Sequence, residues 1–169
     1  MIGQGLPRES SDSKPKHLMK TPPAPSGALD GAVHRFPVRV YFEDTDLSGL
    51  AYHANYLRWF ERARSDLLRL LGIDQRGAYE NGDGVYAVAD LAVRYIAPAR
   101  LDDVLMVETT VLELRAASVR LLQRAFRQDH PIAEMTVRVG FISPEGRPKR
   151  QPEAWRANFT RLIPEESLA

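Results

Sequence analysis

Apolar side chains recur along this chain in two rhythms. From Phe36 to Glu43 they alternate, so that Val38, Val40 and Phe42 would face one side and Arg39, Tyr41 and Glu43 the other. A period of two predicts a half-buried strand. The polar, glycine-containing run from Glu43 to Gly49 then reads as a loop. The rhythm changes at Tyr56, after which Trp59, Phe60, Ala63, Leu67, Leu70 and Leu71 return at steps of three and four. Arg58, Glu61, Arg62, Ser65 and Arg69 fill the opposite side. This is an amphipathic helix of about 16 residues, or about 24 Å at 1.5 Å each. Asn55 suits its N-cap, and Gly72 suits the C′ position beyond its end.

Period-two patterning resumes afterwards. Strands are predicted over 85–95, 104–114 and 119–126. In a last strand Ala133, Met135, Val137, Val139 and Phe141 alternate with Glu134, Thr136 and Arg138. Turns are marked by Pro98 with Asp102-Asp103, by Gln128 to Pro131, and by Pro144 to Pro148. Residues 153–159 suit a short helix. One strand, one long helix and four strands in hairpin succession predict an α+β domain, an antiparallel sheet with the helix on one face. The βαβα alternation of a dinucleotide-binding sheet is missing. Residues 1–33 carry Pro7, Pro15, Pro22, Pro23 and Pro25 among Ser, Gly and Lys. So few apolar groups cannot offset chain entropy, and a disordered leader is expected there. The domain is expected over 34–162, with 163–169 frayed.

Composition narrows the function. The 169 residues are 44% hydrophobic and carry a net charge of +1, so no bulk field draws nucleic acid or an acidic membrane. Cysteine is absent, which excludes disulfides, thiolate metal sites and a cysteine nucleophile. No apolar run approaches the roughly 18 residues that span a bilayer, and the N-terminus lacks a secretory h-region. A soluble, cytoplasmic protein without integral membrane contact is expected.

Signatures of phosphate loops, nucleophile elbows and zinc helices are missing, and the four histidines show no ligand spacing, so no metal site is expected. The chemistry-bearing residues crowd instead between the first strand and the helix: Asp44, Asp46, Ser48, Tyr52, His53 and Asn55. A helix entrance offers unpaired amides and the positive end of the helix dipole, which suit a polarised carbonyl. A neighbouring carboxylate could attack that carbonyl or activate water. Asp44 and Asp46 are equally the residue type of turns and caps.

The run Val40-Tyr41-Phe42-Glu43-Asp44-Thr45-Asp46-Leu47-Ser48-Gly49, continued by Leu50-Ala51-Tyr52-His53-Ala54-Asn55-Tyr56 and Trp59-Phe60-Glu61-Arg62-Ala63-Arg64, resembles the hotdog-fold acyl-CoA thioesterases. It is most similar to their Tol-Pal-associated branch, which is related to 4-hydroxybenzoyl-CoA thioesterase. The resemblance covers roughly 34–160 and implies a long helix wrapped by a curved antiparallel sheet. It also implies a homodimer or homotetramer with the active site at the subunit interface, and an acyl-CoA substrate. It makes Asp46 the essential carboxylate and the His53 amide the donor to the thioester carbonyl, with the His53 imidazole assisting proton transfer. Asp44 would be structural. Tyr52, Ser48, Glu61, Arg115 and Ser118 are the implied substrate-binding positions. Arg115 and Ser118 alone match the basic cluster by which the 4-hydroxybenzoyl enzyme holds the nucleotide phosphates. Neither a metal nor a redox cofactor is needed, because a thioester carbonyl is weakly resonance-stabilised and a thiolate leaves easily. Two alternatives remain: a hotdog dehydratase pairing His53 with Glu61, and a non-catalytic acyl-CoA-binding module. Phe60, Leu67 and the stretch from Tyr86 to Leu91 suit an acyl pocket and plain core alike.

Overall fold

In the computed structural model, which describes residues 23–163, the five segments expected as strands form, and a short sixth strand precedes them. They are β1 (Ala28–Asp30), β2 (Val33–Arg39), β3 (Val85–Tyr95), β4 (Val104–Leu114), β5 (Ser118–Arg127) and β6 (His130–Ile142). The helices are α1 (His53–Leu70), α2 (Gln75–Glu80) and α3 (Glu153–Thr160), and Phe42–Asp44 form a single 3-10 turn. All six strands join one antiparallel sheet in the order β1-β2-β4-β5-β6-β3.

The order corrects one expectation. β4, β5 and β6 do follow one another as hairpins, but β3 pairs with β6 and not with β4. The segment between β3 and β4 cannot be a tight turn, because it crosses to the helix entrance. There the Ala51 N–H donates to the Ala99 carbonyl at 2.8 Å, and the Ala99 N–H donates to the Tyr56 hydroxyl at 3.0 Å. Alternation also fails at the end of β2. Val38 and Val40 are buried as expected, whereas Phe42 is 80% exposed, because the backbone has already entered the 3-10 turn.

α1 lies against β2 and β4 on one face of the sheet. Its inward residues Tyr56, Trp59, Phe60, Ala63 and Leu67 are all at most 3% exposed. Burying each large side chain of this kind contributes about 1.5–3 kcal/mol. Gly72 ends the helix as predicted. At φ +68° its N–H donates to Arg69, and the Ile73 N–H reaches back to Leu68, both at 2.9 Å. This is the paired C-terminal closure that glycine permits. The opposite face of the sheet carries charge in register. Arg35, Glu108, Arg124, Glu134 and Arg94 stand opposite one another across five strands with alternating sign. Cross-strand pairs of opposite charge stabilise a sheet and disfavour slipped registers.

Order begins earlier than the composition suggested. Residues 1–22 of the expected leader lie outside the described residues, but β1 pairs with β2. The preceding residues are held as well: Asp66 of α1 accepts from the Ser26 hydroxyl and the Gly27 N–H, both at 2.8 Å. Asp66 also pairs with buried His34 Nε2 at 2.9 Å. Burial raises the Asp66 pKa, but these hydrogen bonds outweigh it and hold the carboxyl below its usual range. At the other end α3 forms as expected, and Leu162 and Ile163 pack on the core, so within the expected frayed tail only 164–169 lie outside the described residues. No helix among the described residues is long and apolar enough to cross a membrane.

Candidate active site

The loop from Tyr41 to Tyr52 is built on backbone geometry. Asp44 is 6% exposed, and its carboxylate accepts from the Tyr41 N–H at 2.8 Å, closing the 3-10 turn. Asp44 is therefore structural in this geometry. Its carbonyl is a second anchor, accepting from the Tyr52 N–H at 2.8 Å and from Asn55 Nδ2 at 2.9 Å. This corrects the expected role of Asn55. α1 starts at His53, so Asn55 lies in its first turn, and its amide ties the loop down instead of capping. The N-cap is Tyr52, whose side chain makes no capping bond.

Between these anchors Asp46 projects into solvent. Its N–H donates to Leu50 and its carbonyl accepts from Gly49, a turn completed by Gly49 at φ +73°, where a side chain would be strained. Asp46 Oδ1 accepts from the Ser48 hydroxyl and, at 2.8 Å, from the Ser48 N–H. Oδ2 has no partner among the described residues. The Ser48 hydroxyl, then its N–H, hold the Asp46 pKa below the ordinary carboxylate value, and the nearby His53 charge adds to this. Asp46 is thus an ionised, oriented carboxylate with one oxygen open.

α1 points its entrance at the same place. The N–H groups of His53 and Ala54, in the first turn, find no acceptor among the described residues. The Tyr52 and His53 rings lie 4.4 Å apart. Leu50, Ala51, His53, Tyr95 and Ile96 are among the walls of an open groove beside this entrance. The site thus places a carboxylate beside unpaired amides and an imidazole, a set suited to acyl transfer.

The structure brings Asp46, Ser48, Tyr52 and His53 together at this loop. Glu61 does not join them. It lies eight residues beyond His53, about 12 Å along the helix, and pairs with Arg64. The His53–Glu61 pair that a dehydratase would need is absent within this chain. Glu61 and Arg64 border a cavity of about 60 Å³ whose other walls include Leu67, Tyr86, Val88 and Phe159. Of the ambiguous residues, Tyr86 lines this cavity, Leu67 both lines it and belongs to the core, and Phe60 is core alone. Arg115 and Ser118 are more distant still. They flank the β4–β5 turn, and β2 delivers the Asp46 loop beside the opposite end of β4. Ten strand steps of about 3.4 Å put about 34 Å between the two ends. Arg115 is paired with Glu113 at 2.8 Å.

Sequence reasoning missed Tyr95 and Tyr56. Tyr95 donates its hydroxyl to the His53 carbonyl at 2.9 Å, and its ring meets Tyr56 edge-on at 5.2 Å. The hydrophobic pattern marks them only as strand and helix residues. The available signal was the odd persistence of a polar-tipped aromatic at the end of a strand, directly before the Pro98 turn.

Known proteins share this chain's sequence and fold. Residues 40–159 match the thioesterase-like superfamily. The acyl-CoA thioesterase YbgC of Haemophilus influenzae is 41% identical over 128 residues, which are 75% of this chain and 94% of that protein. Its counterpart in Escherichia coli, an acyl-CoA thioester hydrolase, is 35% identical over 133 residues, covering 78% and 98%. A crystal structure described as a probable thioesterase from Bartonella henselae superposes with a TM-score of 0.67 at 32% identity, covering 71% of this chain and 99% of the other. The chain belongs to the thioesterase-like superfamily and has its hotdog fold.

Proposed function

We infer that this chain is an acyl-CoA thioester hydrolase in which Asp46 is the reacting carboxylate and the α1 entrance is the oxyanion site. One observation carries the reading: the open oxygen of an ionised Asp46 lies on the loop that leads directly into the unpaired His53 and Ala54 amides. In the reaction the thioester oxygen accepts from the His53 N–H. Asp46 then either attacks the carbonyl carbon, giving an acyl anhydride that water cleaves, or takes a proton from the water that attacks it. In both routes the C–S bond breaks, coenzyme A leaves as a thiolate that takes up a proton, and the acyl group departs as a carboxylate. Developing negative charge on oxygen is met by fixed N–H dipoles, and one such donor contributes roughly 3 kcal/mol in comparable sites. The His53 imidazole supplies or carries a proton.

The acting unit in this reading is a cytoplasmic homo-oligomer. β3 is an edge strand, and it exposes Val88, Leu91 and Tyr95 together with the adjacent Ile96. An unprotected apolar edge is suited to pairing with a second copy. Such pairing gives Arg115 and Ser118 a role despite their distance: they grip the phosphates of a coenzyme A whose thioester lies in the partner's site. Ser48 and Tyr52 contact the thioester end, and Glu61 borders the acyl end.

Asp46→Asn tests the assignment, measured as hydrolysis of short, long and aromatic acyl-CoAs with a thiol-trapping reagent. The variant keeps shape and loses charge, so kcat should fall by about 10²–10⁴-fold with KM little changed. Near-normal turnover by folded Asp46→Asn would refute the site.

A further inference from the structure

Tyr95 acts on a peptide unit that the reaction uses. The His53 carbonyl and the Ala54 N–H are two ends of one peptide group. The carbonyl end already lies in the α1 hydrogen-bond ladder, where Leu57 is its helical donor. Tyr95 adds a second bond to it at 2.9 Å from across the sheet. The Ala54 end has no acceptor among the described residues and faces out of the helix entrance. A carbonyl that accepts two hydrogen bonds polarises its own peptide, and the N–H at the other end becomes a stronger donor.

The rest of the local structure fixes this contact. The Tyr95 ring stands edge-on to His53, with centroids 6.4 Å apart and planes at 89°, and edge-on to Tyr56 at 5.2 Å and 79°. Tyr56 is 3% exposed, and its hydroxyl accepts from the Ala99 N–H, in the crossover that also binds Ala51. The ring is therefore held on two sides, and its hydroxyl has one acceptor among the described residues. Burial raises the Tyr95 pKa, so the phenol stays a donor wherever the enzyme works.

We propose that Tyr95 is a positioning residue for acyl transfer: its hydroxyl orients and polarises the His53–Ala54 peptide, so that the Ala54 N–H joins the His53 N–H in holding the thioester oxygen as it becomes negative. The proposal rests on the thioesterase reading of this site. It makes the oxyanion site a two-donor site and places the support for one donor on the edge strand. A bond that strengthens as charge develops stabilises the transition state more than the bound substrate, so its loss lowers kcat and spares KM.

Tyr95→Phe is the test, since it keeps the ring and removes only the hydroxyl. In the full chain, on whichever acyl-CoA of the panel wild type hydrolyses best, kcat should fall about 3- to 10-fold, the loss of one neutral hydrogen bond. KM should stay within twofold. The Ala54 amide proton should move upfield in a ¹H–¹⁵N spectrum while amides elsewhere on α1 keep their positions. A structural role alone would lower Tm and leave the kcat of the folded protein intact. An unchanged kcat, or an unmoved Ala54 amide, overturns the proposal and leaves the thioesterase reading standing. A wild-type chain that hydrolyses no member of the panel refutes both.

Discussion

Asp46 and Ser48 form a pair whose chemistry shows in pH dependence. In the proposed reaction Asp46 acts as the carboxylate, and its bonds to Ser48 depress its pKa. The acid limb of kcat/KM for wild type should therefore lie below the ordinary aspartate value of about 3.9. Ser48→Ala removes the hydroxyl bond and keeps the amide bond, so the limb should move to higher pH, which a pH–rate profile would detect. His53 separates side chain from backbone in the same way. His53→Ala keeps the amide donor, and its kcat should fall much less than that of Asp46→Asn. Asn55→Ala belongs to stability. It deletes the buried bond to the Asp44 carbonyl, at a cost of about 0.5–1.5 kcal/mol, and calorimetry should show Tm lowered by about 2–4 °C per kcal/mol. Asp46 and His53 stand out in the sequence through the motif that resembles the thioesterase loop, because polar residues before a helix are otherwise ordinary turns and caps. Asn55 was misassigned because a cap and a first-turn tether require the same residue type, and only the helix start, two residues earlier at His53, tells them apart.

At the scale of elements, the N-terminal strand changes what truncation should do. A proline-rich composition made residues 1–33 look dispensable, yet Ser26, Gly27 and β1 are fastened to α1 and β2. A chain beginning at Val33 should melt several degrees lower than one beginning at Pro23, each hydrogen bond lost costing about 1 kcal/mol. Gly27→Ala should do part of the same damage, because a Cβ there would lie 2.8 Å from His34 Nε2 and closer still to the Arg35 carbonyl. The fastening is also pH-dependent. The folded Asp66 pKa is depressed, so its contribution is complete above the unfolded value and is lost as pH falls through the folded one. The Tm advantage of wild type over Asp66→Asn should shrink on acidification below about pH 4. β6 is legible because its alternation from Ala133 is long and unbroken, and β3 to β5 because β-branched and aliphatic residues run between turn signals despite breaks in register. α2 was not, being six residues with Gly77 inside it and too short for periodicity to register.

For the whole molecule, the sheet order was the least legible feature. Period-two patterning reports which face a residue takes and says nothing of which strand lies beside it. β3 and β4 are neighbours in sequence and the natural guess was a hairpin, but β3 sits at the far edge beyond β6. The proposed assembly follows from that edge. Light scattering at micromolar concentration should give a dimer or larger, and a charge placed on the edge, as in Leu91→Glu, should dissociate it. If the phosphates of a coenzyme A seated in the partner's site are gripped at the β4–β5 turn, Arg115→Ala should raise KM several-fold and leave kcat unchanged. The same sheet order dictates when the site can come into being during folding. β4, β5 and β6 join through short turns, whereas Val85 must find Ile142 across the whole meander. A surface that does not yet exist cannot template its own edge, and closing so long a loop is entropically late. Pulse-labelling hydrogen exchange during refolding should show β4–β6 amides protected ahead of those of β3. The ring of Tyr95 would then be among the last parts to arrive, so a nascent chain would hold its carboxylate and its helix well before it could use them.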